Sequence, residues 1–225
     1  MQKLIIFDCD GVLVDSEVLH NKHTIELLAE HGHMMTELEG FSLFAGMPHD
    51  GVHQYMKDTF DVHIPMERWD QQLEPEMVLS SFEAELQPLM KSTLQLLHDR
   101  QMPKCIGSNS QLDMIHHKLR FTDQKQFFDD AHIFSADHVE NPKPAPDLFL
   151  FAAKQMGFLP DNCIVVEDST TGIEAALAAN IPVIGFLGGS HTQNQKYIDK
   201  IKAYNIPMAF SAEDVFARIE AHQAL

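Results

Sequence analysis

Short apolar runs recur along the chain at Leu4–Phe7, Cys105–Gly107, His132–Phe134, Cys163–Val166, Pro182–Phe186 and, more weakly, Met208–Phe210. Between most of them lie segments with helical spacing of apolar residues, at Leu89–Arg100, Gln111–Phe121, Asp147–Gly157 and Gly172–Ala179. Brief continuous runs suit strands buried on both faces, and the longer periodic stretches suit helices. Their alternation predicts an α/β fold, a Rossmann-like doubly wound parallel sheet covered on both faces. From Ser16 to Leu86 the alternation stops. That stretch carries no convincing strand, and helical patterns run over Glu17–His31, Gly51–Phe60 and Met66–Leu86. It is expected to be a helical insertion, residues 16–86, in a core made of residues 1–15 and 87–225.

In parallel α/β sheets ligands bind beyond the carboxyl ends of the strands. Three of those ends carry notable polar residues. Asp8-Cys9-Asp10-Gly11 follows the first strand, and alternation along extended backbone lets Asp8 and Asp10 project to one side. Two carboxylates there can bind a hard cation or divide nucleophilic and acid–base roles. A calcium loop of the EF-hand kind fails, because Gly11 is fourth where sixth is needed and Leu19 stands where a glutamate belongs.

Ser108-Asn109-Ser110 follows the second strand and can offer a hydroxyl and helix-start amides to phosphate, although helix capping explains the serines equally well. Lys143 lies among Pro142, Pro144 and Pro146, which stiffen the segment and aim the ammonium; an exposed lysine in a proline-rich loop is the plainer alternative. Glu167 and Asp168 end the fourth strand. They point to opposite sides unless the chain turns there, so one is expected as a direct metal ligand and the other as an indirect one.

Composition narrows the function. Acids number 33 against 16 bases, and the net charge of −17 repels nucleic acid and anionic lipid. A phosphorylated substrate would therefore need local neutralisation by a metal and a few placed cations. No apolar stretch approaches the ~20 residues that span a bilayer, and the N-terminal run meets Asp8 too soon for a secretory signal. The three cysteines, Cys9, Cys105 and Cys163, are scattered in or beside apolar runs, which predicts reduced core thiols and a cytoplasmic location.

Together, Asp8–Glu17, Ser108, Lys143 and Glu167-Asp168 resemble the four motifs of the haloacid dehalogenase superfamily, in the helical-cap branch near beta-phosphoglucomutase-like phosphatases. The resemblance spans essentially the whole chain. It implies Asp8 as nucleophile, Asp10 as general acid and base, and Ser108, Asn109 and Lys143 as phosphate ligands. It implies Mg2+ held by Asp8, the Asp10 carbonyl and Asp168, with Glu167 assisting. An aspartate two residues after the nucleophile belongs to phosphate transfer and not to dehalogenation.

The resemblance also makes residues 16–86 a cap, in which Phe41–Met47 is expected as the loop facing the site and His20, Gly46, Met47 and His49 are candidate substrate contacts. The expected activity is hydrolysis of a small phosphorylated metabolite of the sugar-phosphate type by a monomer. Two alternatives stand beside it. His20 sits where phosphosugar mutases of this branch carry a histidine, but His49 stands where they carry an arginine. From Asp15 to Leu86 there are 15 acids against 3 bases, which gives a second phosphate little to grip. A catalytically idle scaffold would be free to lose a motif residue, and none is missing.

Overall fold

The structure is a computed structural model describing residues 2–44, 47, 49–67, 69 and 86–223. Six strands form one parallel sheet: β1 (Leu4–Phe7), β2 (Lys104–Ser108), β3 (Ile133–Ser135), β4 (Cys163–Glu167), β5 (Val183–Phe186) and β6 (Met208–Ala209). Their order is β3-β2-β1-β4-β5-β6, so the direction of winding reverses between β1 and β4. Register pairs Phe7 with Ile106 on one side and with Val166 on the other. One residue further on, Asp8 stands level with Glu167. The reversal point is where such sheets leave a crevice at their carboxyl edge, and the first and fourth strands deliver their acids to it.

Strand residues alternate between two buried layers. Ile5, Phe7, Ile106, Ile164, Val166 and Ile184 join one apolar cluster, and Leu4, Ile6, Cys105, Cys163, Val165 and Val183 join the other. The first is covered by α4 (Lys91–Asp99), α5 (Leu112–Phe121) and α9 (Ala212–Gln223), through Leu94, Leu97, Ile115, Leu119, Val215 and Ile219. The second is covered by α6 (Asp147–Gln155), α7 (Thr170–Ala178) and α8 (Gln195–Lys202), through Phe149, Ala152, Ile173, Ala176 and Ile201. All three cysteines are free and buried.

After β1 the chain enters α1 (Glu17–Glu30), α2 (Glu37–Phe44) and α3 (His49–Phe60). These helices share a separate cluster built on Leu27, Leu28, Phe44, Val52, Met56, Ile64 and Trp69. Two chain crossings join this layer to the sheet, and they run side by side. Val14 bridges Pro88 in antiparallel fashion, the Asp15 amide donates to Gln87 O at 3.0 Å, and the Leu89 amide donates to Leu13 O at 2.9 Å.

Phe41–Phe44 is the last turn of a helix and not a loop. Thr36 and Glu39 form a reciprocal cap at its start. Gly40 sits inside it because a Cβ there would come within 2.3 Å of Asn21 Oδ1 on α1. Of the helix expected over Met66–Leu86, residues 68 and 70–85 lie outside the described residues, as do Gly46 and the side chain of His49. Among the described residues no helix is long and apolar enough to cross a membrane.

Ile6 is wholly buried in the central strand and packs where Gly107 leaves room. Ile6→Ala should cost about 2–5 kcal/mol of stability, the transfer and cavity terms together. Urea unfolding followed by far-ultraviolet circular dichroism measures it.

Candidate active site

Asp8 takes its place from β1: its amide donates to Val166 O at 3.0 Å, extending the β1–β4 ladder by one residue. Its side chain is buried, as are those of Glu167 and Asp168. The chain turns after β4, so the two consecutive acids converge. One ligand atom from each of Asp8, Glu167 and Asp168 lies within 4.8 Å of the others. Gly11, at φ +72°, makes room for this, since a Cβ there would fall 2.0 Å from Asp168 Oδ2.

Lys143 sits inside this acidic group. Its Nζ donates to Asp8 Oδ1 and Glu167 Oε1, both at 2.7 Å, and lies 4.6 Å from the Phe149 ring centroid. Burial alone would push its proton off, but the two carboxylates outweigh burial and hold it protonated. Asn109 fixes the loop that presents it, donating from Nδ2 to Lys143 O at 3.0 Å and accepting from the Lys143 amide at 3.1 Å. The Asn109 side chain thus positions the lysine. Ser108, buried at the end of β2, accepts from the Ser110 amide at 3.1 Å.

Asp10 has a different cation. Its Oδ1 receives the Lys118 ammonium and the Ser16 hydroxyl, each at 2.5 Å, and its Oδ2 receives the Ser110 hydroxyl at 2.6 Å. Ser16 is the N-cap residue of α1, yet its hydroxyl makes no cap hydrogen bond. Burial pushes Asp10 upward, but the Lys118 charge and these hydrogen bonds override it and hold the carboxyl well below the usual range. Asp8 goes the other way. Burial is the main cause, Glu167, Asp168 and Asp10 add to it, and Lys143 offsets it only in part.

Three acids with one shared lysine are what a divalent cation would complete. Asp168 Oδ1 is buried without a hydrogen-bond partner, and the donors are all carboxylate oxygens, the set a hard cation takes. The residues present therefore fit Mg2+.

Lys118 and His191 carry no motif and were not expected at the site. Lys118 had a readable signal: it shares one helical face with Ile115 and Leu119, and a lysine in a buried stripe needs an anion. His191 stands in the loop after β5, with Nε2 3.0 Å from Asp168 Oδ2. No local pattern marks it. Of the expected cap contacts, His20 is exposed on α1 and Met47 is exposed beyond α2.

A family model described as haloacid dehalogenase-like hydrolase matches residues 5–186. The fructose-1-phosphate phosphatase YqaB of Escherichia coli is 29% identical over 80% of this chain and 94% of its own. The 6-phosphogluconate phosphatase of the same organism is 28% identical over 84% of each chain. A crystal structure of a HAD family hydrolase from Deinococcus radiodurans with bound phosphate and sodium superposes with a TM-score of 0.81. It is 31% identical, over 100% of this chain and 97% of that one.

Lys118→Met should destabilise the fold at neutral pH by about 2–3 kcal/mol. That is less than the ~3–5 of a fully buried pair, because the Asp10 side chain keeps 25% of its exposure. In the wild type the depressed Asp10 favours the fold above about pH 4, and this stabilisation is lost as pH falls through the folded value. In the variant, burial without a cation raises Asp10, so stability increases on acidification. The two stabilities should converge between pH 7 and 4 in urea unfolding; a constant gap would contradict the pairing.

Proposed function

The chain belongs to the haloacid dehalogenase-like hydrolases, and we propose that it is a magnesium-dependent phosphatase acting on a small phosphorylated metabolite of the sugar-phosphate type. The observation that carries this reading is the division of two neighbouring aspartates between two lysines, Asp8 with Lys143 and Asp10 with Lys118. Two carboxyls with separate counter-charges can take separate roles: a cation among Asp8, Glu167 and Asp168 would ionise Asp8 for attack, and Asp10 would gain a proton on leaving Lys118.

In this reading Asp8 Oδ attacks phosphorus, and the bond from phosphorus to the leaving oxygen breaks as Asp10 delivers a proton to that oxygen. The alcohol departs and leaves an aspartyl phosphate on Asp8. Asp10 then takes a proton from water, the resulting hydroxide oxygen bonds to phosphorus, and the Asp8–phosphorus linkage opens to release phosphate. Asp10 rests ionised beside Lys118, so before it can donate it must give up its contacts to Lys118, Ser16 and Ser110 and take up a proton from solvent.

Lys143 offsets charge on the transferring group, and Ser108 with the Asn109 amide binds its oxygens. Mg2+, held by Asp8, Asp168 and the Asp10 carbonyl with Glu167 assisting, would screen the carboxylate from the phosphate it attacks. Helices α1–α3 act as the cap that selects the alcohol, with His20, Gly46, Met47 and His49 as candidate contacts. The enzyme works as a cytoplasmic monomer. Hydrolysis is favoured over phosphate return to a sugar by the acidic insertion, 15 acids against 3 bases from Asp15 to Leu86.

A panel of phosphorylated sugars and sugar acids, assayed for released phosphate with Mg2+, tests the proposal. Turnover should vanish on chelation and return with Mg2+. Asp8→Asn should lower it by about 10⁴-fold or more, as loss of a nucleophile does. Undiminished turnover in a pure Asp8→Asn sample, or bisphosphate-dependent isomerisation without phosphate release, would overturn it.

A further inference from the structure

The segment after β5 touches three separate parts of the molecule. Ser190 donates its hydroxyl to Asp15 Oδ2 at 2.5 Å and its amide at 3.2 Å, on the first crossing between core and helical layer. His191 faces Asp168, and the Tyr197 hydroxyl donates to Asp168 O at 2.8 Å. Between them Asn194 uses both ends of its side-chain amide. Its Oδ1 accepts from the amides of Lys196 at 2.9 Å and Tyr197 at 3.4 Å, which caps the start of α8. Its Nδ2 donates to the carbonyl oxygens of Phe41 at 3.2 Å and Ser42 at 3.1 Å.

Those two carbonyls belong to the final turn of α2, where the last four have no partner within the helix. One side chain therefore closes the N-terminus of a core helix and the C-terminus of a helix in the insertion. The double role suits asparagine. Aspartate caps a helix start as well but has no donor, and serine caps it with a shorter arm and a single proton.

We propose that Asn194 is a positioning residue, the latch that holds the helical layer against the core, and that Ser190–Tyr197 ties this placement to Asp15 and Asp168. Each of the joined groups is buried or helical, so displacement of α2 loads the same short segment that braces the Asp168 backbone. The bearing of the latch on turnover rests on the proposed function; the contact itself does not.

The test separates capping from latching. Asn194→Ser and Asn194→Asp both keep an acceptor for the start of α8, so both should unfold at the wild-type urea midpoint. Spin labels go on Lys57→Cys in α3 and Lys154→Cys in α6, which are exposed, while the three native thiols are buried. Pulsed dipolar spectroscopy then reads the separation of helical layer and core. Both variants should gain a component about 5 Å beyond the wild-type maximum, of the order of one helical turn. The share should be larger for Asn194→Asp, whose carboxylate faces two carbonyl oxygens.

Should one variant fail to fold, the other carries the result. Distance distributions that superimpose on the wild type would overturn the latch, whatever happens to turnover. A wild type that releases no phosphate from any ester while the distances shift would sink the proposed function and leave the latch standing.

Discussion

Buried negative charge at the carboxyl ends of β1 and β4 constrains most of what surrounds it. Asp8, Glu167 and Asp168 are withdrawn from water together, and burying like charges is costly unless each finds a cation or a donor. Lys143 serves two of them at once, which works only if its ammonium is held between them. The paired hydrogen bonds from Asn109 and the prolines on either side supply that rigidity. Glu167 is pinned further by the Ser169 amide and hydroxyl, each at 2.9 Å. His191 faces Asp168, where burial works against its charge but Asp168, Glu17 and Asp15 favour it. What is left uncompensated, an acceptor oxygen on Asp168 and a raised Asp8, has the chemistry of a cation site.

The same strand end supports two carboxyls in opposite condition, two residues apart. Asp8 sits among acids and Asp10 sits among donors. Neither residue type nor spacing distinguishes them; only the helices behind them do. Lys118 arrives from α5 on one face of the sheet, and Lys143 arrives from the loop before α6 on the other. Each aspartate thus has its own counter-charge, delivered from helices on opposite faces.

Much of this was legible in the sequence. Apolar runs of three to five residues marked all six strands, and acids at their ends located the crevice, because strand order and chemistry meet at the reversal point. The helix at Glu37–Phe44 escaped notice although Thr36 and Glu39 hold the spacing of a capping box. The resemblance of Phe41–Met47 to a cap loop pointed away from a helix, and contact with Asn21 explains the glycine inside it. Lys118 is marked only by its place beside Ile115 and Leu119 on the buried face of α5. His191 and Asn194 were not legible at all: their partners lie far along the chain, and a loop has no period to betray them.

The paired crossings at Val14–Pro88 have an evolutionary meaning. Because the chain leaves and re-enters the sheet at adjacent points, the strands keep their register whatever lies between Asp15 and Gln87, although Ser16 and the end of α2 also touch the core. A short turn could join the two ends without moving a strand. Material beyond Ser16 can then be exchanged there while the carboxylates and lysines stay in register. What covers the carboxyl edge can thereby change without rebuilding the edge itself, and one floor can be furnished with many different ceilings.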